Sequence, residues 1–147
     1  MSKSENAVQC FSDGFNCSQA VFSTYCEQLG LDKETALKIA CSFGSGMGRM
    51  AETCGAVTGA YLLIGLKYGK YLPEDNAAKE KSFQLMKDFN EKFKELHGSL
   101  CCRDLLKYDL STPDGLQYIK DNGLWDRICP IFIRDAAQII EELLELE

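Results

Sequence analysis

Residues 54–68, CGAVTGAYLLIGLKY, constrain the fold more than any other stretch of the chain. The run has neither the alternation of a half-buried strand nor the polar face of a surface helix. At helical spacing Tyr61, Leu62, Leu63, Ile64 and Leu66 leave almost no polar side. A helix that is apolar all round must be buried on every side. Its small residues are also ordered: Gly55 and Gly59 share one face, as do Ala56 and Ala60. Glycine inside a helix costs roughly 1 kcal/mol against alanine, so a bare face beside Cys54 needs a reason. Two are compatible: the close approach of another helix backbone, and room beside the thiol for a partner sulfur or a bulky metal centre.

The rest of the chain must surround this helix, and its punctuation is helical. A first helix is expected from about Glu5 to Asp13, stopped by Gly14. Asn16 caps a second, Cys17 to Leu29, which ends at Gly30, and Asp32 caps a third, Lys33 to Phe43. GSGMG, residues 44–48, is too glycine-rich for a helix and reads as a loop. The central helix is expected from about Met50 to Tyr68, ended by Gly69. Pro73 opens a long polar helix through Leu96, with Phe83, Met86, Phe89, Phe93 and Leu96 at spacings of three and four. A short helix follows from Cys102 to Lys107, and Thr112 with Pro113 is a cap-plus-first-residue signature. Cys129 with Pro130 opens a last helix that runs to the C-terminus, Cys129 taking the cap position. The expected fold is all-α: a single-domain helical bundle over residues 1–147, with short loops around a central small-residue-rich helix.

Composition narrows the function. A net charge of -6 argues against nucleic acid or an anionic membrane surface as partner, because both reward clustered Lys and Arg. The longest apolar run, Ala60 to Leu66, contains a glycine and is far too short to insert across a membrane. The start, MSKSENAVQCF, lacks the basic and apolar segments of a signal peptide, so a cytoplasmic location is expected.

Eight cysteines in such a chain point to metal binding or redox chemistry rather than to the staples of a secreted mini-protein. Cys26 and Cys41 lie on apolar helix faces, and Cys10 sits beside Phe11; these three are expected as buried packing. Cys17, Cys54, Cys102 and Cys129 instead fall near expected helix starts, where free N–H groups and the helix dipole lower a thiol pKa. The thiolate is both the nucleophile and the metal ligand. No CxxC pair exists among these four, so they can meet only through the fold. Cys101 adjoins Cys102, and the sequence leaves open which of the two enters a site.

The segments NCSQAVF, FGSGMGRMAETCGAVTGAYLLIGLKYG and CRDLL, with the late Cys129, resemble the redox-active family named for the pattern C–GCAxxG–C–C. The resemblance covers nearly the whole chain. It implies that Cys17, Cys54, Cys102 and Cys129 are the signature cysteines, with a redox role and, in some relatives, iron–sulfur binding. The leading expectation is one site where these four ligate an iron–sulfur centre or another thiophilic metal, iron or zinc, for electron transfer with an unknown redox partner. Gly55 and Gly59 would give the cofactor its space. A metal-free thiol–disulfide oxidoreductase is the alternative; a helical scaffold with a structural zinc is the third.

Other features carry less. FGSGMGR lacks the GK[ST] ending of a phosphate loop, and is expected instead to turn the chain sharply and bring Arg49 near the thiols. The single histidine, His97, reads as a helix-end residue, and Trp125 as a core or interface anchor. The central helix and the stripe Ile131, Phe132, Ile133, Ile139, Ile140, Leu143, Leu144 and Leu146 present an apolar surplus that a homodimer would cover.

Overall fold

Capping side chains start most of the helices. Ser2 and Asn16 each form a two-way cap, their side chains accepting from the N–H of Glu5 and Gln19, which return the bond to the cap N–H. Asp32, Asp75 and Thr112 cap three more, accepting from Thr35, Ala78 and Gly115. The computed structural model describes all 147 residues. Its helices are α1 (Lys3–Ser12), α2 (Cys17–Tyr25), α3 (Lys33–Ala40), α4 (Gly55–Tyr68), α5 (Asn76–His97), α6 (Cys102–Leu106), α7 (Pro113–Asp121) and α8 (Leu124–Leu143). Two 3-10 turns, Glu27–Leu29 and Cys41–Phe43, extend α2 and α3 to the ends the sequence suggested. The only β pairing is one antiparallel bridge, Thr53 to Cys101, so the all-α expectation holds.

Several boundaries differ, each for a local reason. The central helix α4 starts at Gly55, not Met50, because the preceding backbone is extended: Thr53 pairs with Cys101, and the Cys54 N–H donates to the Leu100 carbonyl at 2.8 Å. The long helix α5 starts at Asn76, since Asp75 and not Pro73 supplies the cap. The last helix α8 starts at Leu124 after a left-handed Gly123, and Pro130 lies inside it. Proline offers no N–H to the carbonyl four residues back and usually kinks a helix. Here a first turn had already formed, with Arg127 N–H bonded to the Gly123 carbonyl. Cys129 is therefore not a cap; it lies in the second turn of α8.

The GSGMG segment is the largest departure. Its backbone is a turn of left-handed helix: φ is 56° at Ser45, 68° at Gly46, 67° at Met47, 66° at Gly48 and 68° at Arg49, with Ala51 also positive. Two glycines enter this region freely, but Ser45, Met47, Arg49 and Ala51 do so at a cost of about 1 kcal/mol or more each.

Packing follows the opening constraint for most of α4. Gly55 through Ala60, Leu63 and Ile64 are buried, with α2 on the glycine face and α5 and α8 on other sides. The constraint lapses at the C-terminal end, where Gly65 is exposed and a side chain there would meet nothing within 4 Å. The stripe of α8 is covered within the chain: Phe132, Ile133, Ile139, Ile140 and Leu144 are buried, against α1, α4 and α5, while Ile131 is exposed. A smaller second cluster joins Ala51, Cys102, Leu106, Leu110, Ile119 and Leu124. No helix is long and apolar enough to cross a membrane.

The two interior glycines of α4 separate packing from mere tolerance. A Cβ at Gly59 would lie 2.8 Å from the Ser18 carbonyl oxygen and 3.1 Å from the Val21 Cβ. Gly59→Leu is expected to cost about 1–3 kcal/mol or more, and Gly65→Ala to stabilise by about 0.5–1 kcal/mol. Paired thermal melts check this, and equal melting temperatures would refute the close-packing account of Gly59.

Candidate thiol site

One pocket of about 290 Å³ gathers Cys17, Cys54, Cys102 and Cys129 on its lining, together with Gly55, Arg49 and a largely apolar wall. Each thiol arrives by a different device. Cys17 is the first residue of α2, set by its Asn16 cap. The Asn16 amide also donates to the Cys41 carbonyl at 2.8 Å, and Gln19 to the Leu37 carbonyl at 3.0 Å, so the start of α2 is tied to the end of α3. Cys54 caps α4 and faces Cys17 because Gly55 leaves the space: a Cβ there would stand 2.3 Å from the Cys17 sulfur. Cys102 is the first residue of α6, with its N–H bonded to the Glu52 carbonyl at 2.6 Å. The Thr53–Cys101 bridge thus aligns Cys54 and Cys102 on adjacent segments. Cys129 comes from α8.

The adjacent pair is resolved by the bridge. Cys102 lines the pocket, whereas the Cys101 thiol turns away and donates to the Ala51 carbonyl at 3.2 Å. Arg103 reinforces that side, donating to the same carbonyl at 3.0 Å and pairing with Glu52 at 2.6 Å.

The left-handed turn closes the remaining side. Gly46 sits so tightly against Ala51 and Cys102 that a Cβ would fall 2.7 Å from one and 2.8 Å from the other. The Ser45 N–H points at the Cys17 sulfur. The turn also carries Arg49 to the pocket, as expected from the sequence.

Electrostatics single out one thiol. The Cys17 sulfur is held down to about 7, chiefly by the Cys54 thiol donating to it, against the effect of burial and with help from the N–H groups of Ser45, Ser18 and Cys17 itself. Cys54 is pushed well up, first by that same bond and then by burial. Burial pushes Cys102 up to about 12, aided by the charge on Cys17. It raises Cys129 strongly as well, with the charges on Cys17 and Cys102 adding to the effect. The pocket therefore favours one thiolate, Cys17, among protonated neighbours.

Other residues are placed elsewhere. Gly59 packs on the α2 backbone and does not line the pocket, so its bare face serves helix packing. Cys26 is buried as expected and Cys10 half-buried, but Cys41 is exposed. The expectation of burial for Cys41 fails because α3 tightens into a 3-10 turn at that residue, which ends the helical face on which it was counted. His97 closes α5 and bonds Asp135 at 2.8 Å, away from the thiols. Trp125 is half-buried on the pocket wall rather than in the main core. Phe11, Phe15 and Asp126, which no sequence pattern singled out, also line the pocket.

The donor set suits iron–sulfur or zinc in kind, since four thiols share one cavity. It does not suit them in placement: no three His, Cys, Asp or Glu side chains are arranged to hold one metal ion.

Gly55→Ala tests the central contact. The added methyl would displace the Cys17 sulfur from its donors, so the pH at which Cys17 becomes half-reactive to iodoacetamide is expected to rise. An unchanged profile in a folded variant would show that the contact does not set the thiolate.

A family model described as "Putative redox-active protein (C_GCAxxG_C_C)" matches residues 15–143. No curated protein and no solved structure matches the chain. The matched span includes all four pocket cysteines and the left-handed turn between the first two, and on that match the chain belongs to the C_GCAxxG_C_C family of redox-active proteins.

Proposed function

We propose that the chain is a thiol–disulfide redox protein in which Cys17 attacks and Cys54 resolves. One observation carries the reading: the Cys17 and Cys54 thiols line one pocket, where the residue after Cys54, Gly55, packs so closely that a Cβ there would stand 2.3 Å from the Cys17 sulfur. The Cys17 thiolate attacks one sulfur of a disulfide R–S–S–R; the S–S bond breaks, one thiolate leaves, and a mixed disulfide forms. Cys54 gives up its proton and attacks the Cys17 sulfur, and the second thiolate leaves. The protein dithiol is oxidised by two electrons, and the leaving thiolates take up the protons as two RSH. The Cys54 thiol, the main group lowering the Cys17 pKa, stabilises the attacking thiolate before the first step and supplies the resolving sulfur for the second.

The second reading is a metal or iron–sulfur centre for electron transfer, or a structural zinc, held by the thiolates of Cys17, Cys54, Cys102 and Cys129. Their shared pocket favours it, although their placement would have to change to enclose an ion. Anaerobic purification with an absorbance spectrum and metal analysis separates the readings. Metal-free protein that forms a Cys17–Cys54 disulfide with hydroxyethyl disulfide, seen by mass spectrometry, supports the first. Stoichiometric iron or zinc bound to these thiols supports the second.

Two variants probe the proton between the sulfurs. Wild-type Cys17 alkylation should half-saturate near pH 7, rising on the alkaline side as the thiolate forms. Cys54→Ser keeps a donor and should hold that midpoint while abolishing the disulfide. Cys54→Ala removes the donor and should move the midpoint to higher pH. Identical midpoints in the two variants would remove the Cys54 hydrogen bond from the account.

The reading supposes a reducing, cytoplasmic setting and a partner that returns the electrons. Much of the apolar stripe that motivated a homodimer is met by the chain's own helices, while Ile131 stays exposed. Light scattering is therefore expected to give a mass near 16.4 kDa; a doubled mass would instead support pairing through another face.

A further inference from the structure

We infer that the disulfide this pocket accepts is a small zwitterionic one of the amino-acid type, its charged groups read by Arg49 and Asp126; the inference rests on the thiol–disulfide reading. Three observations carry it. The pocket, at about 290 Å³, lies at the lower edge of the roughly 300–1,000 Å³ range of small-molecule sites. Its walls include Phe11, Phe15, Leu105, Leu106, Trp125 and Phe132, an apolar sleeve for methylenes and sulfur. Two charged side chains line it, one cation and one anion, Arg49 and Asp126. Neither makes an ion pair or a side-chain hydrogen bond, while the three ion pairs of the chain all lie elsewhere.

The placement of each charge is built into the fold. Arg49 ends the left-handed turn with φ 68°, a conformation arginine adopts at a cost, and the same turn aims the Ser45 N–H at Cys17. Asp126 lies in the first turn of α8, three residues before Cys129. A ligand carrying only a carboxylate would satisfy Arg49 and be repelled by Asp126; one carrying only an ammonium group would meet the reverse. A ligand with both satisfies the two side chains together. Its S–S bond takes the two electrons and two protons of the Cys17–Cys54 dithiol and leaves as two amino-acid thiols.

The test compares four dialkyl disulfides that differ in charge: zwitterionic cystine, cationic cystamine, anionic dithiodipropionate and neutral hydroxyethyl disulfide. The rate of Cys17–Cys54 oxidation by each is divided by its rate with a free thiol, which removes differences in leaving-group acidity. Cystine is expected to exceed hydroxyethyl disulfide by about tenfold or more in this ratio. Arg49→Asn, whose side chain tolerates the left-handed backbone, should slow cystine and dithiodipropionate by about five- to tenfold and spare cystamine. Asp126→Asn should slow cystine and cystamine and spare dithiodipropionate. If Arg49→Asn slows all four alike, Arg49→Lys decides: selective recovery of cystine and dithiodipropionate supports the assignment, and its absence overturns it. Equal ratios across the panel in the wild type, with the disulfide formed, would overturn the charge reading and leave the redox reading standing. Failure of every probe to oxidise the pair would overturn both.

Discussion

The contact between the Cys17 sulfur and Gly55 is the constraint on which the site depends. A β-carbon at residue 55 would stand 2.3 Å from that sulfur and 3.0 Å from the Ser18 amide nitrogen, well inside van der Waals separation. Because the carbon is missing, the starts of α2 and α4 come together, and two thiols from distant parts of the chain share one pocket. Farther along the interface Gly59 lets the Ser18 carbonyl approach the same helix. The two glycines hold one pair of helices close, but only the first also makes room for chemistry.

Closing the other side of the pocket requires backbone that most residues avoid. Four non-glycine residues between Ser45 and Ala51 take positive φ, and the surroundings over-determine them. Gly44 lies against the Asn16 side chain that caps α2, and Gly46 lies against Cys102. The Gly46 carbonyl accepts from Glu52, whose own carbonyl accepts from Cys102. One strained turn is thereby fastened to the start of α2 and to the start of α6. Relaxing it to ordinary backbone would move the Ser45 N–H from Cys17 and detach the wall that carries Arg49.

Much of this was legible in the residues. Caps at Asn16, Asp32 and Thr112, and the all-apolar run after Cys54, state the bundle directly, because each is a local rule that the tertiary structure respects. The gathering of Cys17, Cys54 and Cys102 was legible as a tendency, since helix starts supply the N–H groups a thiolate wants. Cys129 misled for a physical reason: a cysteine before proline looks like a cap, yet the packing of Leu124 in the smaller cluster begins α8 earlier and carries Pro130 inside it. Cys41 is exposed where helical periodicity expects burial, because a 3-10 turn interrupts the helix at that residue. The left-handed turn had only its glycines as signal, and Ser45, Met47 and Arg49 give none. The choice between Cys101 and Cys102 was invisible, because a single β-bridge to Thr53 decides it.

The electrostatics explain why four thiols in one pocket do not act as four equals. Once Cys17 carries the negative charge, that charge and burial together hold Cys102 and Cys129 in the neutral form, and the shared proton holds Cys54. Attack on a disulfide needs one thiolate and one nearby thiol, which is the state the fold already favours. Holding a metal needs several thiolates, so the ion itself would have to displace the remaining protons and rearrange the sulfurs, and its affinity would fall with acid. The same crowding that makes these sulfurs attractive to a thiophilic ion therefore raises the cost of loading one. In the absence of an ion, it leaves Cys17 as the one acidified thiol of the pocket, with the raised thiol of Cys54 beside it.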